Sequence, residues 1–421
     1  MLILKNISRL VTPVGSTAKK GGEMNDLKVV QNAVVACKDG IFVYAGDKSN
    51  FEKKFGSIES FASDKSVQIL DCKNKAVLPG FVDSHTHLVF GGYRDDEFLL
   101  RAAGATYMEI MQAGGGIAKS VRLTRETSEE ELLRAAQERI EELLKLGITA
   151  VEIKSGYGLD KDTELKQLRV IDKLQKQNRL DISSTFMGAH SIPKEYKEKE
   201  NGGAEYIDFI IEEMLPAVKE ENLAEFVDIF CEKGVFSIDE SQKLLTAAIA
   251  SGFKAKIHAD EIVCLGGAEL AAKVGCTSAD HLLHISPQGI KDLADSKTIA
   301  TLLPLTAFCL SEPFAPARAL IDGGAAVALA TDFNPGSCFS FSIPLLIGLS
   351  VLKMNMTINE VITALTLNGA CAIDKGDKLG TIEEGKSADL IILKYNSENF
   401  LAYHTGVNCV EKVIKRGEIV F

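Results

Sequence analysis

Between about residues 76 and 375, short β-rich runs that end in polar residues alternate with longer stretches of helical periodicity. The runs are, in order, AVLPGFVDSHTH, ITAVEIKSGYG, DISSTFMGAHS, FVDIFCEKG, FKAKIHADE, CTSADHLLH, TIATLLP and AAVALATDFNPG. The segments between them place apolar residues on one helical face. In residues 127–145, Leu132, Leu133, Ala136, Ile140, Leu143 and Leu144 do so, and Thr127 with Glu130 has capping-box spacing. Further helices are predicted over 162–176 and 204–219. Parallel strands need helical crossovers, so eight such units predict a closed (β/α)8 TIM-like barrel, with an open doubly wound sheet as the alternative. His, Glu and Asp stand at the C-terminal ends of the runs, where barrel active sites are built, and this favours the barrel.

The chain ends read differently. LILKNIS, NAVVACKDGIFVYAG and SVQILDC at one end, and KLGTIEEGKSADLIILKY and CVEKVIKRGEIVF at the other, are strand-like with Gly and Asp turns. They predict one small β-sandwich, discontinuous in sequence, from residues 1–75 and 376–421, with the barrel over 76–375.

Composition narrows the function. A chain of 421 residues, 46% apolar and 25% charged, suits a soluble globular protein. A net charge of −11 with interspersed signs speaks against nucleic acid, which needs a basic face. No run of about 18 apolar residues predicts a membrane span, and the charges Lys5 and Arg9 interrupt any signal-peptide core in MLILKNISRLVT. Nine cysteines without a CxxC pair are expected to be reduced, in a cytoplasmic protein.

The chemistry is concentrated at the strand ends. His85 and His87 form an HxH, and alternate residues of a strand point to one side, so both imidazoles can face one ion. His258 in KIHADE ends the fifth strand, His281 in SADH the sixth and Asp332 in ATDFNPG the eighth. His85, His87, His258 and Asp332 would make a mixed N/O site for zinc or another divalent transition ion. Glu261, three residues after His258, is placed to take a proton from activated water and deliver it to a leaving nitrogen.

Together PGFVDSHTH, KIHADE, SADH and ATDFNPGS resemble the amidohydrolase superfamily over essentially the whole chain. That superfamily often carries a Lys or Glu bridging two metals at the end of the fourth strand. Here Glu232 and Lys233 stand near that end in no such pattern, so the resemblance implies one divalent metal, zinc or iron. A narrower set of segments, HTHLVFGGYRDDEF, AGATYMEIMQAGGGI, KSGYGLDKDTELK, STFMGAHSIP and IFCEKGVF, resembles a branch that hydrolyses a small cyclic amide bearing a propionate tail. This resemblance implies that Arg94, Tyr157 and His190 hold the carboxylate, which agrees with the fit of a guanidinium fork to a carboxylate. His190 could instead be a metal ligand. His281 would orient water or stabilise the oxyanion, Asp332 would be catalytic as well as a ligand, and Asn334, Gly336 and Ser337 would meet the open-chain product. The expected partner is a small-molecule substrate, with neither nucleic acid nor membrane, in a homodimer. A nucleobase deaminase would share the metal site but needs no carboxylate clamp, and a non-catalytic scaffold would carry no metal. The GGG at residues 114–116 lacks the phosphate-loop pattern and reads as a hinge or pocket-edge loop.

Overall fold

The computed structural model describes residues 1–104, 115–177 and 179–421. Four strands come first, β1 (Leu2–Thr12), β2 (Lys28–Lys38), β3 (Ile41–Asp47) and β4 (Gln68–Pro79). Eight follow with helices between them: β5 (Phe81–Asp83), β6 (Ile148–Lys154), β7 (Asp181–Ala189), β8 (Phe226–Cys231), β9 (Lys254–Ala259), β10 (Ser278–His281), β11 (Ile299–Leu302) and β12 (Val327–Leu329). The chain closes with β13 (Leu390–Leu393), β14 (Val410–Lys415) and β15 (Glu418–Ile419).

Strands β5 to β12 pair in sequence order, each parallel to the next, as the eight-unit pattern predicts. Beyond their ends the first and last strands meet and close the barrel. Thr86 bridges Phe333, the Asp332 N–H donates to the His85 carbonyl at 3.0 Å, and the His87 N–H donates to the Phe333 carbonyl at 2.9 Å. Below this seam Asp83 accepts from the Thr331 N–H and hydroxyl at 3.0 and 2.7 Å.

The two chain ends form one mixed sheet in the order β15-β14-β13-β4-β1-β2-β3. It curls back on itself, so that Phe42 of β3 exchanges backbone bonds with Lys386 and Gly385, just ahead of β13. Alternation along β1 sends Leu2 and Leu4 to one face and Ile3 to the other, against Phe51 and Ile58. A bulge between Leu4 and Ile7 resets the phase, which is how Ile7 rejoins Leu2 and Leu4 on the same face. Strand β4 runs on to Pro79, so the chain passes from sheet to barrel at Gly80. A Cβ there would lie 2.2 Å from the Thr149 hydroxyl, so glycine is required for this close approach.

The predicted helices are present, with two local differences. The capping box of helix Glu129–Lys145 is Ser128 with Glu131, one residue later than Thr127 with Glu130. Thr127 is already the C-cap of the preceding helix Ile117–Glu126. The helix expected over 204–219 is divided by a π turn at Ile210–Met214, directly ahead of Pro216, whose missing N–H cannot continue the α ladder. Among the described residues no helix is long and apolar enough to cross a membrane. All nine cysteines are free.

Candidate active site

The barrel interior beneath the C-terminal rim is charged rather than aliphatic. Lys154 of β6 lies 2.7 Å from Asp228 of β8, 3.0 Å from Glu152 and 3.5 Å from Asp280 of β10, all fully buried. Lys256 of β9 lies 2.8 Å from Glu152. Burial alone would lower the pKa of Lys154, but Asp228, Glu152 and Asp280 together hold it above the usual lysine range. Two lysines face three carboxylates, so this floor is formally one negative charge in excess.

The imidazoles rest on that floor. His85 Nδ1 is 2.7 Å from Asp280 Oδ2, and His258 Nδ1 is 3.1 Å from Asp228 Oδ2, although the latter pair is not aligned as a hydrogen bond. The opposite nitrogens, Nε2 of His85 and of His258, are buried without a hydrogen-bond partner among the described residues. One oxygen of Asp332 accepts from Thr306 at 2.7 Å, while the other lies 3.5 and 3.9 Å from Nε2 of His85 and His87. Ligand atoms of His85, His87 and Asp332 lie within 4.8 Å of one another, and so do those of His85, His258 and His281. Burial drives the pKa values of His85, His87 and His258 far below 6.5 and lifts Asp332 to about 7. Neutral imidazoles with unpartnered nitrogens, a buried carboxylate and a net negative floor are a donor set that fits a divalent cation.

Glu261 stands at the rim, with Oε1 3.5 Å from His281 Nδ1. Burial, reinforced by the carboxylates of Asp332 and Glu232, raises its pKa to about 8, while burial lowers His281 to about 4. His281 and Asp332 both adopt left-handed backbone, with φ of 77° and 51°. Such geometry is costly outside glycine and is retained where side-chain placement matters.

These groups share a cavity of about 500 Å³ with Arg94, Tyr157 and His190. The His190 ring stacks on His87 at 4.7 Å, its Nδ1 is 3.0 Å from the Gly156 carbonyl, and burial lowers its pKa to about 4. Tyr157 is buried, which raises its pKa, with its ring 5.2 Å from that of His190. Arg94 Nε donates to Glu97 Oε2 at 2.8 Å. Its guanidinium lies over Gly336, where a Cβ would come within 2.1 Å of Nη1. Asn334 and Ser337 also line the cavity. Asn334 Oδ1 accepts from the Gly336, Ser337 and Cys338 N–H groups, so its carbonyl serves its own loop. Of residues 114–116, Gly114 lies outside the described residues; Gly116 donates to Glu97 at 3.1 Å and starts the helix whose Ile117 lines the cavity.

The amidohydrolase family profile matches residues 76–420. An imidazolonepropionase of Clostridium tetani is 56% identical over 420 residues, covering 100% of this chain and 98% of its own. That of Porphyromonas gingivalis is 52% identical over 422 residues, covering 100% and 97%. The chain belongs to the imidazolonepropionase family of amidohydrolases. More distant solved structures share the fold. An atrazine chlorohydrolase of Arthrobacter aurescens complexed with zinc has a TM-score of 0.71 at 15% identity, covering 100% of this chain and 95% of that one. A 5-methylcytosine deaminase of Klebsiella pneumoniae has a TM-score of 0.71 at 17% identity, covering 100% and 98%.

In this member of the imidazolonepropionase family, three buried carboxylates without an assigned role hold the site's loops. Glu164, on helix Lys161–Lys176, accepts from the N–H groups of Gly156, Gly158 and Leu159 at 3.0, 2.8 and 2.9 Å, and so fixes the loop that presents Tyr157. Gln167, one turn on, accepts from the Tyr157 N–H at 3.2 Å. Glu232 accepts from the Ile262 N–H at 2.8 Å, directly after Glu261, and Asp260 receives the Leu265 and Ala268 N–H groups at 2.8 and 3.0 Å. Glu261 is thus carried on backbone anchored from both sides. The spacing in KSGYGLDKDTELK is the trace of the Glu164 anchor in the sequence.

Proposed function

We propose that this chain hydrolyses 4-imidazolone-5-propanoate to N-formimidoyl-L-glutamate, with His85, His87, His258 and Asp332 holding one divalent ion, zinc or iron. The observation that carries this reading is that one cavity joins Arg94 and Tyr157 to the buried His and Asp cluster and Glu261. The ion, when bound, supplies Lewis acidity that activates water and polarises the ring carbonyl. Glu261 takes the proton of the attacking water and delivers it to the ring nitrogen as the C–N bond breaks and the new C–O bond forms. His281, neutral at pH 7, acts as a hydrogen-bond partner to the developing oxyanion rather than as a charge. Arg94, Tyr157 and His190 hold the propionate, and the loop of Asn334, Gly336 and Ser337 borders the open-chain end of the product. The reading carries with it a small-molecule substrate and a cytoplasmic homodimer.

The test is product analysis by mass spectrometry after incubating the metal-loaded protein with the imidazolone, alongside Arg94→Met. Truncating one partner of a desolvated charge pair costs about 2–5 kcal/mol, so Arg94→Met should lower kcat/KM at least about 30-fold. A ring analogue without the carboxylate should be little affected. If Arg94→Met leaves the imidazolone reaction unchanged, the clamp is wrong and a nucleobase deaminase becomes the better reading of the same metal site.

A further inference from the structure

We propose that Arg101 is a second cation for the substrate carboxylate, completing with Arg94 a two-arginine clamp. This deepens the reading above and rests on it. Arg94 is the N-cap of helix Asp95–Ala102, so Arg94, Glu97 and Arg101 stand at i, i+3 and i+7 on one helical face. All three line the cavity.

Arg94 is not a free cation, because its Nε is 2.8 Å from Glu97 Oε2 and the two side chains are 13% and 8% exposed. That pair is already neutral. A propionate added to it alone would leave one uncompensated negative charge away from water, which is strongly unfavourable. His190 turns its Nδ1 to the Gly156 carbonyl, at 3.0 Å, and stacks its ring on His87, and Tyr157 brings a phenol rather than a cation. Lys119 is turned to Asp96, at 2.7 Å, and stays 4.0 Å from Glu97. Glu312, the other carboxylate at this mouth, is exposed and solvated.

Arg101 is the remaining cation lining the cavity among the described residues. Among the described residues its buried Nη2 has no hydrogen-bond partner. Among the described residues Glu97 Oε1 is likewise buried without a hydrogen-bond partner. The guanidinium is steadied against the Phe98 ring, with Cζ 5.6 Å from the centroid. Burial first, and then the charge of Arg94, lowers its pKa, while Cys309 and Glu97 act in the opposite direction. With the propionate bound, two guanidiniums face two carboxylates and the wall is neutral. The ligand class is therefore a small carboxylate, gripped between Arg94 and Arg101.

The test uses the full-length, metal-loaded enzyme and the variants Arg101→Met and Arg101→Lys, with KM and kcat resolved on the imidazolone and on the carboxylate-free analogue. Calorimetric titration with N-formimidoyl-L-glutamate gives a second, non-kinetic readout. Arg101→Met should raise KM and the product Kd about 30-fold, hold kcat within about threefold, and leave the analogue within about threefold. Arg101→Lys should recover most of the loss, because it restores the charge without the fork. If Arg101→Met does not fold, Arg101→Gln with the same measurements carries the test. Equal losses on imidazolone and analogue would show that Arg101 only packs the helix, and unchanged KM and Kd would show that it does not meet the carboxylate; either overturns the inference. If Arg94→Met behaves as proposed and Arg101→Met is silent, only the second arm falls. If the wild-type enzyme does not turn over the imidazolone, the function itself falls and this inference with it.

Discussion

Glu164 offers a sharp test of how the substrate pocket is built, because it touches no proposed reacting group. Its carboxylate is buried, Oε1 accepting from Gly158 and Leu159 and Oε2 from Gly156. In Glu164→Gln the amide oxygen can keep two of these bonds, but the new NH2 faces the Gly156 N–H, donor against donor. A buried N–H left without an acceptor costs about 1–3 kcal/mol, and the two surviving bonds lose their charge assistance. Against this, burial raises the pKa of Glu164, so an uncharged amide avoids part of a desolvation cost. A net penalty of about 2 kcal/mol on the closed loop corresponds to a change of roughly 30-fold in its opening equilibrium. Hydrogen exchange read by mass spectrometry should therefore accelerate by about that factor in peptides covering 155–160, with the remaining barrel unchanged. Steady-state kinetics should show a raised KM with kcat nearly intact, since Tyr157 moves and Glu261 does not. Exchange at 155–160 within about twofold of the parent would refute the anchoring role, and uniform acceleration across the barrel would refute its locality.

Other expectations follow from the same geometry. Glu261→Gln should retain metal and substrate affinity but lose roughly 10²–10⁴-fold in kcat, measured under saturating substrate. His85→Ala or Asp332→Ala should leave the purified protein nearly free of metal by elemental analysis, with turnover lost in parallel. Asp280→Asn should weaken metal affinity about 10–100-fold in competition with a chromophoric chelator, because the 2.7 Å contact to His85 Nδ1 no longer ends on a carboxylate. Metal-free protein should lose stability as pH rises from about 7 to 8.5, followed by urea melts. The folded state holds protons on Asp83 and Asp332, both near 7, and on Glu261, near 8, that the unfolded chain has already released, so its advantage disappears as these titrate. The buried histidines are neutral when folded and largely so when unfolded in that window, and therefore do not mask the effect.

The barrel was legible because each of its strands is a short local signal, and the eight runs end where their polar residues cluster. The floor beneath the site was not. Glu152, Lys154, Asp228, Lys256 and Asp280 come from four different strands, and each alone reads as an ordinary charge. The available hint was period two, since Lys256 stands two residues before His258 and Glu152 two before Lys154, which places each pair on one side of its strand. Arg101 was hidden for a different reason. In an exposed-looking run, RDDEFLLRA, helical spacing alone does not say which face meets a cavity. The one-residue offset of the Ser128 cap arose because two consecutive hydroxyl residues compete for one role, and the preceding helix claims Thr127.

The closing seam has a consequence for how the protein is made. His85 and His87 leave the ribosome early, His258 much later, and Asp332 only with the strand that shuts the barrel. A nascent chain thus presents imidazoles to the cell's metal pool long before the carboxylate and the backbone bonds from Asp332 to His85 and from His87 to Phe333 exist. With the ligand set proposed above, an ion captured at that stage would rest on an incomplete donor set and exchange readily. Firm retention would then begin only when the last strand docks beside the first, and resistance to a chelator, followed during translation or refolding, would time the moment at which the ring of strands becomes continuous.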